Sequence, residues 1–184
     1  MKQVLLAAIT ALSLLACNDK ANRTTASTDS AAGNQSNEAT NKVAKEERNK
    51  QTALLSERSL EKGDVDGVLK DADKDFVEYG DGSMAPIKGV DSVKKFMQMW
   101  VAAVPDYRGT DFTAVADDNY VMVYGTWKGT WKNDMMGQKA TGKSFQVKDV
   151  DFFKFNDAGK IIEHRNVAPM SEIGRQIGMK PPTQ

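Results

Sequence analysis

The chain has 184 residues, 25 basic against 25 acidic, and 40% hydrophobic content. That is enough for the core of one domain, and the balanced charge excludes bulk electrostatic attraction to nucleic acid or an anionic surface. Cys17 is the only cysteine and His164 the only histidine, so no intrachain disulfide can form. A metal would have only carboxylates to add to one imidazole, and no metal site or cofactor motif is expected.

Residues Val4 to Ala16 are almost wholly apolar and follow a single cation, Lys2. This run of about 13 residues falls short of the roughly 20 needed to span a bilayer. It reads as the h-region of a signal peptide covering residues 1–16. The four residues Leu14-Leu15-Ala16-Cys17 resemble the bacterial lipobox, whose cysteine takes a diacylglyceryl group and becomes the mature N-terminus. The resemblance implies an extracytoplasmic protein, lipid-anchored through Cys17 to a bacterial membrane, at the outer membrane or periplasmic face. Acyl chains contribute about 0.8 kcal/mol per buried CH₂, so such an anchor needs no charged surface. Residues 17–41 follow as an expected disordered tether, because Thr24 to Asn37 holds no large apolar side chain to offset ordering entropy.

A folded domain is expected over 42–184. Lys42 to Glu61 is rich in good helix formers and is followed by Gly63 as a stop. A short helix over Val65–Asp71 and a strand over Asp75–Tyr79 come next, the strand ending at Gly80-Asp81-Gly82. Val90, Val93, Phe96, Met97, Trp100, Val101 and Val104 recur at three and four residues, which predicts an amphipathic helix that Pro105 ends. The period then changes to two. Tyr120–Trp131 alternates, with Val121, Val123, Trp127 and Trp131 on one side and Met122 and Tyr124 on the other. Phe145–Phe155 and Lys160–Val167 read as two further strands around the turn Asn156-Asp157-Ala158-Gly159. Helices followed by an antiparallel meander predict an α+β fold.

Four segments in order carry a resemblance: Gly89-Val90-Asp91-Ser92-Val93-Lys94-Lys95-Phe96, Val104-Pro105-Asp106-Tyr107, the loop Met135-Met136-Gly137 with Thr141-Gly142-Lys143, and Gly159 to Val167. Together they resemble the SnoaL-like polyketide and ester cyclase group of the nuclear transport factor 2-like superfamily. The resemblance implies a cone-shaped barrel, a strongly curved antiparallel sheet wrapped around N-terminal helices and enclosing a pocket. Members include cyclases, isomerases, dehydratases and proteins that only bind or assemble, so fold alone settles no chemistry.

Gly137 to Ser144 fits the phosphate-loop pattern G-x-x-x-x-G-K-[ST] letter for letter. A true phosphate loop opens a helix, whereas Phe145-Gln146-Val147-Lys148-Asp149-Val150 alternates like a strand. A loop between two strands is expected there. Lys128, Lys132, Lys139, Lys143 and Lys148 along the same hairpin read as lysines protecting a solvated edge.

The last hairpin holds the candidate chemistry. Asp149, Asp151, Phe153 and Phe155 share one face of their strand, and Ile162, His164 and Asn166 one face of the next. A four-residue loop sets Asp151 opposite His164 and Asp149 opposite Asn166. A three-residue loop with Gly159 in a left-handed bulge sets Phe152 opposite His164 and separates the dyad. Facing residues can be an acid–base pair or a polar pair that fixes register. In the cyclases that the strand resembles, the run reads E-H-W-D, with the aspartate as acid and base. Here Glu163 and His164 match, Arg165 replaces the tryptophan and Asn166 the aspartate. An amide donates a hydrogen bond to an oxyanion but accepts no proton, so proton transfer falls to Asp151 and His164 or is absent.

Tyr79, Phe96, Trp100, Tyr124 and Trp127, with Asp149 and Asn166, are the expected pocket lining. The wider set of Met97, Met122, Met135, Met136 and Trp131 fits a core equally well. The sequence thus predicts a lipid-anchored domain whose pocket binds a small, largely apolar molecule of unknown identity. The alternative is an isomerase or aldol-type ester cyclase using Asp151 and His164. A homodimer is left open, and no nucleic-acid partner is expected.

Overall fold

A computed structural model describes residues 29–180. The apolar run Val4–Ala16, Cys17 and the start of the expected tether lie outside the described residues. Helix α1 spans Asp29–Glu61 and so begins well before Lys42, which corrects the expectation of coil over 29–41. Once a helix is nucleated, each added residue brings its own hydrogen bond, and Ala31, Ala32, Gln35 and Ala39 oppose that extension little. Lys42 pairs with Asp117 at 3.0 Å and Lys45 with Asp118 at 2.7 Å, which fastens α1 to the hairpin it crosses.

Helix α2 (Val65–Leu69) is capped by the Asp64 carboxylate accepting from the Gly67 amide. Strand β1 (Ala72–Glu78), the two-residue β2 (Ile87–Lys88) and helix α3 (Val90–Ala103) follow. Then come β3 (Arg108–Asp117), β4 (Tyr120–Thr130), β5 (Ser144–Phe155), β6 (Ile161–Asn166) and α4 (Met170–Ile177). The six strands form one sheet in the order β2-β1-β6-β5-β4-β3. The meander β3 to β6 is antiparallel, but β1 joins β6 in parallel. The sheet is not closed: β2 and β3 are its edges, so the expected barrel is an open sheet with helices on one face.

Three elements carry little sequence signal. β2 has two residues. β3 is interrupted where Asp111 takes φ 60° and the register slips between Thr110 and Thr113, and its inward positions are filled by Phe112, Ala114 and Ala116. α4 is only eight residues long with Gly174 inside it, yet Ile177 is fully buried.

Two apolar clusters fill the inner side. One joins Ala53 of α1, Val93 of α3, Phe76 of β1, Val121 and Val123 of β4, and Phe153 and Phe155 of β5. The other gathers Trp100, Trp127, Trp131, Met135, Phe145 and Ile177. Gly129 of β4 permits this second packing, since a Cβ there would stand 2.4 Å from Val104 Cγ1. Gly137–Lys143 lies in the β4–β5 connection and Ser144 opens strand β5, so the phosphate-loop pattern has no helix behind it. Its loop is tied down by Thr141 Oγ1 donating to the Ile177 carbonyl at 2.6 Å. The five lysines of this hairpin are exposed, and Lys132 and Lys139 pair with Asp106 and Asp134. β4 and β5 are interior strands, so Lys128 and Lys148 lie on a solvated face and not on the expected edge. Among the described residues no helix is long and apolar enough to cross a membrane.

Candidate functional site

The β5–β6 hairpin adopts neither expected register. Asp151 pairs with Asn166 and Phe153 with His164, two residues from the register that sets Asp151 against His164. The turn is wider because Asn156 organises it. Its Oδ1 accepts from the Lys160 amide at 3.0 Å, its own amide donates to the Lys160 carbonyl at 2.9 Å, and Gly159 takes φ 76°. Phe155 then pairs with Ile161, and Ile162 is an extra residue before Lys154 meets Glu163. A slip of two keeps every side chain on its face. Asp151 and His164 therefore remain diagonal neighbours, with Nε2 3.5 Å from Oδ1.

Asp149 and Asp151 are both buried, at 8% and 4% exposure. Oδ1 of Asp149 accepts from the amides of Val150, Val167 and Ala168 at 2.7, 3.0 and 2.6 Å, and Oδ2 accepts from Asn166 at 3.2 Å. It anchors the chain as it leaves β6. Burial raises its pKa, the Ala168 amide counters this, and Asp151 adds to the rise. Asp151 accepts from Trp127 Nε1 at 3.0 Å and from Asn166 Nδ2 at 2.6 Å. Asn166 thus bridges the two carboxylates, a role for its amide that suits neither proton transfer nor free donation to a ligand.

Three further residues complete the site. β1 lies parallel to β6 and brings Glu78 to His164, with Nδ1 2.7 Å from Oε2, while Oε1 accepts from the Gly80 amide at 2.8 Å. Burial alone would lower the His164 pKa, but the Glu78 and Asp151 carboxylates outweigh it and raise it well above the ordinary value. Glu57 of α1 is 4% exposed, and its carboxyl makes no hydrogen bond among the described residues. Burial, and then Asp151, push its pKa well up, with His164 opposing. Tyr107 stacks on Trp127 at 5.0 Å between ring centres and meets Trp100 edge-on at 5.8 Å. Burial first, then the nearby carboxylates, raise its hydroxyl pKa well above the ordinary value.

A signal for two of these residues was present. Ala53, Ser56, Glu57 and Leu60 have the three-and-four spacing of a buried helix face, and Glu78 lies two residues after buried Phe76. Parallel pairing of β1 with β6 leaves no comparable local trace.

These groups line one wall of a cavity of about 190 Å³ between the helices and the sheet. Of the expected lining, Tyr79, Phe96, Trp100, Trp127, Asp149 and Asn166 face it. Tyr124 does not. It is 40% exposed on the outer face of β4 beside Met122, because the alternation that buries Val123 turns it outward. Met97 lines the cavity, Met135 and Trp131 lie in the second core cluster, and Met136 is exposed. One ligand atom each of Glu57, Asp151 and His164 lie within 4.8 Å of one another, so three metal-ligating side chains meet where the sequence offered no spacing motif.

The model of the SnoaL-like polyketide cyclase family matches residues 50–177, and the chain belongs to this family. Solved structures agree on the fold. A protein assigned as a SnoaL-like polyketide cyclase from Jannaschia sp. CCS1 superposes with a TM-score of 0.66 at 19% identity, over 74% of this chain and 95% of that one. One assigned as a polyketide cyclase from Xanthomonas campestris pv. campestris gives 0.65 at 18% identity, over 72% and 98%. An epoxide hydrolase of the LEH-like type from M. tuberculosis gives 0.58 at 15% identity, over 72% and 90%. No curated protein matches the sequence.

Proposed function

We propose that this domain binds one small, largely apolar molecule carrying an oxygen-bearing group, and is held outside the cytoplasm by a lipid on Cys17. The observation that carries the reading is an apolar cavity with unengaged polar groups on one wall. Neither the Glu57 carboxyl nor the Tyr107 hydroxyl makes a hydrogen bond among the described residues, and both line the cavity. These oxygens open onto the cavity without a protein partner among the described residues, and a ligand oxygen there would supply one. A dry cavity of about 150 Å³ holds one benzene ring. The volume here suits a molecule of one substituted ring.

The test is the unfolding midpoint of the full chain against a panel of single-ring ketones, phenols and lactones. A genuine ligand at a hundredfold excess over its Kd adds about 2.7 kcal/mol, and Met97→Trp, which fills the cavity, removes the response. If no panel member raises the wild-type midpoint, the binding reading fails. Anchoring is tested separately: Cys17→Ala abolishes fatty-acid labelling and frees the protein from the membrane fraction, and a labelled alanine variant would refute the lipid.

A second reading, an isomerase or aldol-type ester cyclase, is favoured by one observation: the connected run Glu78–His164–Asp151 beside the cavity. Turnover that falls about 10²-fold or more in Asp151→Asn or His164→Gln would establish it.

A further inference from the structure

We infer that Glu57, Asp151 and His164 form a binding site for one first-row divalent cation of the Mn²⁺-to-Zn²⁺ range. The inference shares the Glu57 carboxyl with the ligand reading above and leaves the Tyr107 hydroxyl to an organic ligand, so its test counts the cation directly. The three side chains come from α1, β5 and β6, distant in sequence, and their ligand atoms converge within 4.8 Å. Ligands roughly 2.0–2.2 Å from a common ion stand about 3–3.5 Å apart when adjacent. His164 Nε2 and Asp151 Oδ1, at 3.5 Å, already have that separation. Glu57 lies within 4.8 Å of both, a gap that a side-chain rotation would have to close on binding.

Glu57 supplies an independent observation. Its carboxyl is buried, lines the cavity and lacks any hydrogen bond among the described residues. Ser56, its neighbour, finds a partner in the Val68 carbonyl at 3.0 Å, so the helix does not forbid pairing here. A cation between the three groups gives the carboxyl the partner it lacks.

The surrounding contacts fit ligands held for a metal. Metal-bound imidazoles donate their other ring N–H to a carboxylate, and ligating carboxylates are themselves hydrogen-bonded. Glu78 accepts from His164 Nδ1 at 2.7 Å, which leaves Nε2 directed at Asp151. Asp151 is steadied from behind by Trp127 Nε1 at 3.0 Å. Asp149 is excluded as a ligand, since four N–H donors occupy its oxygens. Charge points the same way. Five carboxyls and one imidazole line the cavity, and among the described residues no lysine or arginine lines it. One imidazole with two carboxylates suits Mn²⁺, Fe²⁺ or Zn²⁺ rather than the all-oxygen sites of Ca²⁺ and Mg²⁺.

The experiment uses the full chain without an affinity tag, stripped with chelator and equilibrated against Zn²⁺ or Mn²⁺. One cation per chain is expected by elemental analysis. Glu57→Gln and Asp151→Asn each weaken binding at least about 10-fold, and Glu78→Gln does so without touching the ion, by about 10–100-fold. Asp66→Asn, an exposed carboxylate on α2, leaves binding unchanged. A variant-free readout guards against misfolding: His164 is the only histidine, and substoichiometric Mn²⁺ broadens its ring NMR signals selectively. Wild type that binds no stoichiometric cation, or binds one while the His164 signals stay sharp, overturns the inference.

Discussion

The two faces of the β5–β6 hairpin treat the same residue types in opposite ways. Outside, Glu163 is matched by cations: Lys154 at 3.0 Å and Arg165 at 3.2 Å. Arg165 also lies 3.9 Å above the Tyr79 ring. Burial works against the Glu163 charge, but these two cations hold its pKa below the ordinary value. Inside, Asp149 and Asp151 have no Lys or Arg and rely on backbone amides, Trp127, Asn166 and one imidazole. Ion pairs that keep contact with solvent, as the half-buried Lys154–Glu163 pair does, contribute little, about 0–1 kcal/mol. Buried carboxylates are held by full hydrogen bonding, and losing it is expensive. The outer charges are matched by one another and by solvent, whereas the inner ones are costly enough to imply a use.

Substitutions can break or sharpen this contrast. The largest expected effect is Asp149→Ala, which removes an acceptor from three backbone amides and Asn166. Asn166 keeps Asp151 and the Val167 amide keeps the Val150 carbonyl, but the buried turn after β6 loses its anchor. Urea denaturation should show a loss of about 3 kcal/mol or more, and a loss below 1 kcal/mol would mean that water replaces the carboxylate cheaply. Trp127→Phe takes the only side-chain donor from Asp151 Oδ2 and should cost about 1–3 kcal/mol.

Next comes a signed pH dependence in chelator-treated protein. Glu57, Asp149 and His164 all have folded pKa values above their ordinary ones. Each therefore binds more protons folded than unfolded, and its contribution is lost as pH rises. The decline starts near the ordinary carboxylate values of 3.8 and 4.5 and continues past 6.5 as His164 enters. Urea midpoints at pH 5 and pH 8 should fall in wild type and fall less in Glu57→Gln. An equal fall in both would remove Glu57 from the set. The smallest effect belongs to Lys154→Met on the outer face, expected within about 1 kcal/mol and reduced further by salt.

Much of this site was legible because parity is robust. Asp149, Asp151, His164 and Asn166 share the inner face in both the four-residue-loop register and the observed one, since a slip of two preserves the side, whereas the three-residue loop, a slip of one, would have split them. The partner in each pair was not legible, because Asn156 and the extra residue Ile162 set it through backbone geometry. Tyr124 illustrates the converse: its alternation with Val123 already points outward, and aromatic character is no substitute for that period. Glu57 was hidden by composition, one carboxylate among many in a helix that reads as solvent-exposed, although its spacing from Ala53 and Leu60 marks the buried stripe. Glu78 could not be linked to His164 at all, because parallel pairing brings together segments from opposite ends of the domain.

That pairing also fixes when the site can exist during folding. The Glu78–His164 contact spans 86 positions, whereas Asn166 reaches Asp151 across 15. By loop-closure entropy the longer contact costs about 1.5 kcal/mol more to close, and non-local pairings of this kind form slowly. The hairpin can zip on its own soon after synthesis, but the imidazole acquires its orienting carboxylate only when β1 docks on β6, made 86 positions later. A nascent chain halted before residue 161 would carry Glu57, Glu78, Asp149 and Asp151, yet lack the imidazole and the amide of β6 that tie those carboxyls together.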